Sequence, residues 1–145
     1  MNVVADPLSA QTNQAHRFRR LTGTGLLAAL AAMAATTVAA ALAKAAGADF
    51  EIPDGGESIP LPGFAVVTGF FSVVGVAIAA ALLRWSARPA ALFLWTTVPL
   101  ATVSLVPPLV SGASTATVTA LLGLHVVPAV VMIPTLARTL RTLTD

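Results

Sequence analysis

The sequence predicts an all-α membrane protein, a four-transmembrane-helix bundle with both termini in the cytoplasm. Three observations carry that expectation. Four apolar stretches are each long enough to cross a bilayer, and only 10% of the 145 residues are charged, against about 25% in a soluble domain. The mean hydropathy is +0.87, so a water-facing surface would carry large apolar patches. The charges are also sorted by segment. Seven of the eight Lys and Arg residues fall before the first stretch, between the second and third, or after the fourth, and four of the six acids fall in the loop after the first. The positive-inside rule reads such an asymmetry as orientation.

Composition closes several classes of function. Cysteine is absent, which excludes disulfide frameworks, thiolate metal sites, cysteine nucleophiles and thiol redox relays. The pI near 10.5 would suggest nucleic acid only if the cations were pooled on one face. Here they form a cuff around the expected cytoplasmic end, so the bilayer is the expected partner and nucleic acid is not.

Residues 1–20 read as a disordered basic cytoplasmic tail. Met1 to Gln14 is polar and aperiodic, and His16-Arg17-Phe18-Arg19-Arg20 is a basic cluster set directly against the first apolar run. The membrane domain covers 21–138, with spans at about 21–46, 64–83, 90–110 and 115–136, and residues 139–145 read as a second cytoplasmic tail.

The first span, Leu21 to Ala46, is about 39 Å long, against a hydrocarbon thickness of about 30 Å. Its centre is mostly alanine, which favours helix and gains more from packing against protein than against lipid. The spacings Gly25/Ala29, Ala28/Ala32, Ala31/Ala35 and Ala35/Ala39 let another helix approach closely. A cleaved signal peptide is the competing reading, from Arg19-Arg20, the apolar run and Ala41-Leu42-Ala43. The run outlasts the usual signal core of about 7–15 residues and further spans follow, so an uncleaved helix is expected. Lys44 reads as an interfacial anchor in the last turn, with pairing to Asp49 or Glu51 as the alternative.

The acidic loop 48–63, expected to be extracytoplasmic, carries Asp49, Glu51, Asp54 and Glu57 and no cation. Pro53-Asp54-Gly55-Gly56 reads as a tight turn, and Pro60 and Pro62 stiffen the return. Calcium requires a cage of about six to eight oxygens and this spacing matches no EF-hand, so the loop reads as solvated. In the second span, Gly69, Ser72 and Gly75 form a small-residue face, with Gly69 and Gly75 as helix-packing positions. The short basic link Arg84-Trp85-Ser86-Ala87-Arg88-Pro89 leads to the third span. There Pro99 frees the carbonyl of Trp95 and predicts a kink. Pro107-Pro108 closes that span, and Ser111-Gly112-Ala113-Ser114 is an uncharged turn. The fourth span contains Pro128 and Pro134, with Arg138 and Arg141 beyond it. Arg17, Arg19, Arg20, Arg84, Arg88, Arg138 and Arg141 thus anchor the topology.

His125 is the one ionisable group deep within an apolar span, roughly 15 Å from either surface. Thr36, Thr37, Ser72, Thr102 and Ser104 sit at comparable depth and form with it a candidate midplane polar cluster, since an imidazole facing lipid leaves its nitrogens unpaired. Two readings stay open. His125 is interhelical hydrogen-bond glue, worth about 0.6 kcal/mol on average and up to about 2, or a titrating or ligand-binding centre. A haem lacks a second intramembrane histidine, and a proton-coupled multidrug transporter lacks an intramembrane carboxylate. No base, nucleophile and orienting group share a depth, so no catalytic residue, metal site or cofactor is expected.

The run Leu122-Gly123-Leu124-His125-Val126-Val127-Pro128, followed by Val131-Met132-Ile133-Pro134 and Leu136-Ala137-Arg138, resembles the last helix of a family of small four-span actinobacterial membrane proteins of unknown function. The basic tail, alanine-rich first span and acidic loop resemble it too, over roughly Arg17 to Arg138. The resemblance implies a four-span architecture and a plasma-membrane address, and no activity. The leading expectation is a non-enzymatic plasma-membrane protein acting through helix contacts, as a homo-oligomer or an accessory subunit of another membrane protein. The alternative is a small transporter or channel around His125, and a lipid-directed enzyme using Lys44 and the loop acids is a third.

Overall fold

The computed structural model describes residues 7–51, 53 and 57–145. The first six residues of the expected tail and Asp54 of the acidic loop lie outside these. The described chain is helical throughout its spans: α1 (Pro7–Ala45), α2 (Leu61–Trp85), α3 (Pro89–Val103), the short α4 (Val106–Val110) and α5 (Thr115–Thr144). With α3 and α4 taken together, four helical segments among the described residues are long and apolar enough to cross a membrane.

The chain runs up and down, so the start of α1, the α2–α3 link and the end of α5 share one end of the bundle. Arg17, Arg19, Arg20, Arg84, Arg88, Arg138 and Arg141 gather at this basic end. The α1–α2 loop and the α4–α5 turn meet at the other, where Pro53 lies beside Gly112. Helix α1 packs on both α2 and α5, and α3 leans mainly on α5. Only 11% of the apolar window of α3–α4 is buried, against 28% for α1, which makes α3 the peripheral helix.

The buried stripe of α1 is Leu21, Gly25, Ala28, Ala29, Ala32, Thr36 and Ala40, a helical repeat of three and four. On α2 the matching stripe is Thr68, Ser72, Val76, Ala79 and Leu83. Among the described glycines the least room is at Gly25, where an added Cβ would lie 2.6 Å from Val76 Cγ2 and 3.3 Å from Leu136 Cδ2. Three helices therefore meet where α1 has no side chain. The positions expected for this role are looser. A Cβ on Gly69 would meet only the flexible end of Met33, at 2.9 Å, and on Gly75 it would sit in ordinary contact with Leu136, at 3.9 Å. A methyl group on α2 is thus tolerated where one on α1 is not.

The expected tails differ from the structure. Residues 7–20 continue α1, and α5 runs on to Thr144. Their physical reason is mutual. Leu21 and Leu140 are both fully buried in one cluster, and Phe18 and Leu143 pack against it. Both extensions are therefore tied to this cluster, through Phe18 on α1 and Leu140 and Leu143 on α5. Each also grows from an already nucleated helix, where adding a residue costs little. Pro7 begins α1 where its missing N–H is harmless. Likewise α2 begins at Leu61, with Pro62 accommodated in its first turn.

The third span runs through Pro99 and is interrupted five residues later, at Ser104–Leu105. Pro107 and Pro108 lack the N–H groups that the carbonyls of Val103 and Ser104 would need, and a tighter bond from Leu105 N–H to the Thr102 carbonyl, 3.1 Å, fills the gap. The decisive prolines are the terminal pair.

Candidate functional site

Two places bring polar side chains together against apolar helix. The first is at mid-span. Along the second half of α3 a groove of about 190 Å³ separates it from α5. Val98, Ala101, Thr102 and Leu105 form its α3 wall, and Val126, Ala129 and Ile133 stand with His125 on the α5 wall. The imidazole is half-buried, and its Nδ1 lies 2.8 Å from the Leu121 carbonyl of its own helix. A carbonyl can only accept, so in the neutral ring Nδ1 carries the proton and Nε2 is left as an acceptor. Among the described residues Nε2 has no partner.

The expected midplane cluster is divided. His125 and Thr102 share the groove, although the Thr102 hydroxyl donates to Val98 O of its own helix, at 2.9 Å. Thr37 and Ser104 likewise donate to Met33 O, at 2.8 Å, and Ala101 O, at 2.7 Å. Thr36 and Ser72 lie on the buried stripes of α1 and α2, away from the groove lining, and Thr36 Oγ1 is buried with no hydrogen-bond partner. Own-helix bonding is the usual way a hydroxyl is satisfied where water is absent. Consequently these groups do not join into one path.

The second place is the loop end, and sequence reasoning missed it. Helix α1 closes with a Schellman motif: Ala48 N–H bonds Ala43 O at 3.0 Å and Gly47 N–H bonds Lys44 O at 3.1 Å, with Gly47 at φ 105°. The chain then turns inward. Phe50 is 1% exposed and takes φ 55°, a left-handed conformation costing a non-glycine residue roughly 1–2 kcal/mol. Its ring stacks at a tilt on Phe64, 4.9 Å between centroids, within a cluster formed with Ala40, Leu121 and Leu124. Its N–H donates to Thr117 Oγ1 at 3.2 Å, and the Thr117 hydroxyl donates to Asp49 Oδ1 at 2.5 Å. The Thr117 bond, followed by the Glu51 backbone N–H, holds the Asp49 carboxyl below its ordinary range. Beyond it a single antiparallel bridge, Glu51 to Ser58, closes the loop. The acidic loop is thus a lid that inserts an aromatic plug between α1, α2 and α5. A lone phenylalanine flanked by two acids was its one sequence signal. Lys44 stays exposed and forms no ion pair with Asp49 or Glu51. Among the described residues no group of three His, Asp or Glu side chains could hold a metal ion.

Over residues 16–142 the chain matches the model of a family of unknown function, DUF6069. It belongs to the DUF6069 family. The match runs from the basic cluster to the last turns of α5, so the four-span bundle, the groove and the plug of this DUF6069 chain all lie inside it. No curated protein and no solved structure matches this DUF6069 chain.

Proposed function

We propose that the protein acts within the plasma membrane through helix contacts, as a homo-oligomer or as an accessory subunit, with the α3–α5 groove as the contact surface. The observation that carries this reading is the imidazole of His125: one nitrogen is bound within α5, the other has no partner among the described residues, and the ring lines a largely apolar groove. Lipid offers that nitrogen nothing, whereas a helix laid in the groove supplies a donor. Ala101 and Ala129 in the groove walls let such a helix approach closely. Three of the five mid-depth hydroxyls that a conduction path would need, those of Thr37, Thr102 and Ser104, are turned onto their own helices, and the other two lie on the buried stripes of α1 and α2.

The absence of native cysteine makes cross-linking a clean test. Single cysteines at Thr102 and Val126, in the groove, should cross-link in native membranes far more than one at Val73, which is exposed on α2. A product of twice the chain mass identifies a homo-oligomer, and one of another mass an accessory role. Groove positions that cross-link no better than Val73 would defeat the proposal.

A further inference from the structure

At the basic end, the α2–α3 link and the start of α3 face the last turn of α5 across a cavity of about 450 Å³. Arg88 lines it from one side, and Arg141 and Asp145 line it from the other. Neither guanidinium has a salt-bridge partner among the described residues, Asp145 included. Two guanidiniums against the one Asp145 carboxylate leave the cavity net positive, and their planar forks match phosphate oxygens in particular. At the start of α3 the Arg88 N–H donates to Ser86 Oγ at 3.0 Å and Pro89 has none, which leaves the amides of Ala90 and Ala91, both lining the cavity, without a helical partner.

The remaining wall says what carries the phosphate. Ala91, Leu94 and Trp95 continue the cavity away from the arginines along α3. Trp95, 79% exposed, stands on the same helix as the exposed Leu92 and Val98, in the segment that spans the bilayer. Charge above and an apolar, aromatic-edged track below is the profile of a phospholipid, headgroup first. We infer that Arg88 and Arg141 bind the phosphate of an anionic phospholipid whose acyl chain lies along Leu94 and Trp95. This site is separate from the mid-span groove and does not depend on the contact role proposed for it.

The test uses the full chain in detergent, with native mass spectrometry counting bound phosphatidylglycerol and phosphatidylcholine offered together. Wild type should retain phosphatidylglycerol preferentially. A basic residue at a membrane surface contributes about fivefold to anionic-lipid affinity, so Arg88→Gln with Arg141→Gln should cut the preference about 25-fold. Arg84→Gln with Arg138→Gln removes the same charge from the same end but outside the cavity, and should cut it much less. In a Trp85→Phe background, brominated acyl chains on phosphatidylglycerol should quench Trp95, and the two cavity substitutions should relieve that quenching. Circular dichroism of each variant establishes that the helices are kept. Equal retention of the two lipids, or equal losses from both pairs of substitutions, would overturn the inference. So would inorganic phosphate binding with the same arginine dependence and displacing the lipid, since that would assign the site to a soluble anion.

Discussion

The Thr117 hydroxyl donates to Asp49 Oδ1 at 2.5 Å and accepts the Phe50 N–H at 3.2 Å, so one side chain on α5 holds two consecutive residues of a loop 67 positions away. It is fully buried, and its own N–H bonds the N-cap hydroxyl of Ser114 at 3.3 Å. The plug depends on it.

Thr117→Val keeps the shape and removes both bonds. The buried Phe50 N–H is then left without a partner, which costs about 1–3 kcal/mol. The expected result is faster hydrogen exchange at Phe50 and Glu51 and easier proteolysis between 48 and 60, with the four spans intact. Unchanged exchange at Phe50 would show that ring packing alone holds the plug.

Acid should open the same lid. The Asp49 carboxyl titrates below the ordinary aspartate value of 3.8, chiefly because of the Thr117 bond. A depressed folded-state value means that its stabilisation is present above the unfolded value and lost as pH falls through the folded one. Protection of the loop amides, taken relative to their intrinsic exchange rate at each pH, should therefore be flat near neutrality and fall at pH below the ordinary aspartate value. Asp49→Asn should remove this acid dependence.

Gly25→Ala is expected to weaken the bundle by about 1–3 kcal/mol, the usual range for overpacking, because the added methyl meets the branched and stiff Val76 side chain. Gly75→Ala should be nearly neutral and Gly69→Ala mild, since only the end of Met33 must move. Unfolding in detergent–denaturant titrations orders the three. A Gly75 effect as large as that of Gly25 would contradict the packing described.

His125→Leu should weaken association in bilayers by about 0.6 kcal/mol, and by no more than about 2, whereas His125→Gln should retain part of it. Energy transfer between labelled chains in liposomes reads the difference. If the leucine variant associates as strongly as wild type, the imidazole takes no part in the contact.

Thr36 shows why the site was less legible than the fold. Its depth follows from position 36 in the span, but depth does not say which way a side chain faces. The six midplane residues share a level and diverge around their helices: Thr36 and Ser72 turn inward, and His125 and Thr102 turn to the groove. Phe50 and Thr117 are 67 positions apart, a pairing that no local pattern announces.

By itself the sequence determined that this chain is of the multi-pass membrane kind, that it has four helices able to cross, and that its arginines lie in segments apart from four of its six acids. Those properties follow from apolar run length and charge order, which are local and additive. Tertiary structure alone decided that Gly25 leaves the least room for a side chain among the described glycines, that α1 and α5 share one buried cluster through Leu21 and Leu140, and that Phe50 plugs the loop end. Each of those depends on the rotation and register of one helix against another, set by side chains that meet only after the chain has folded back on itself.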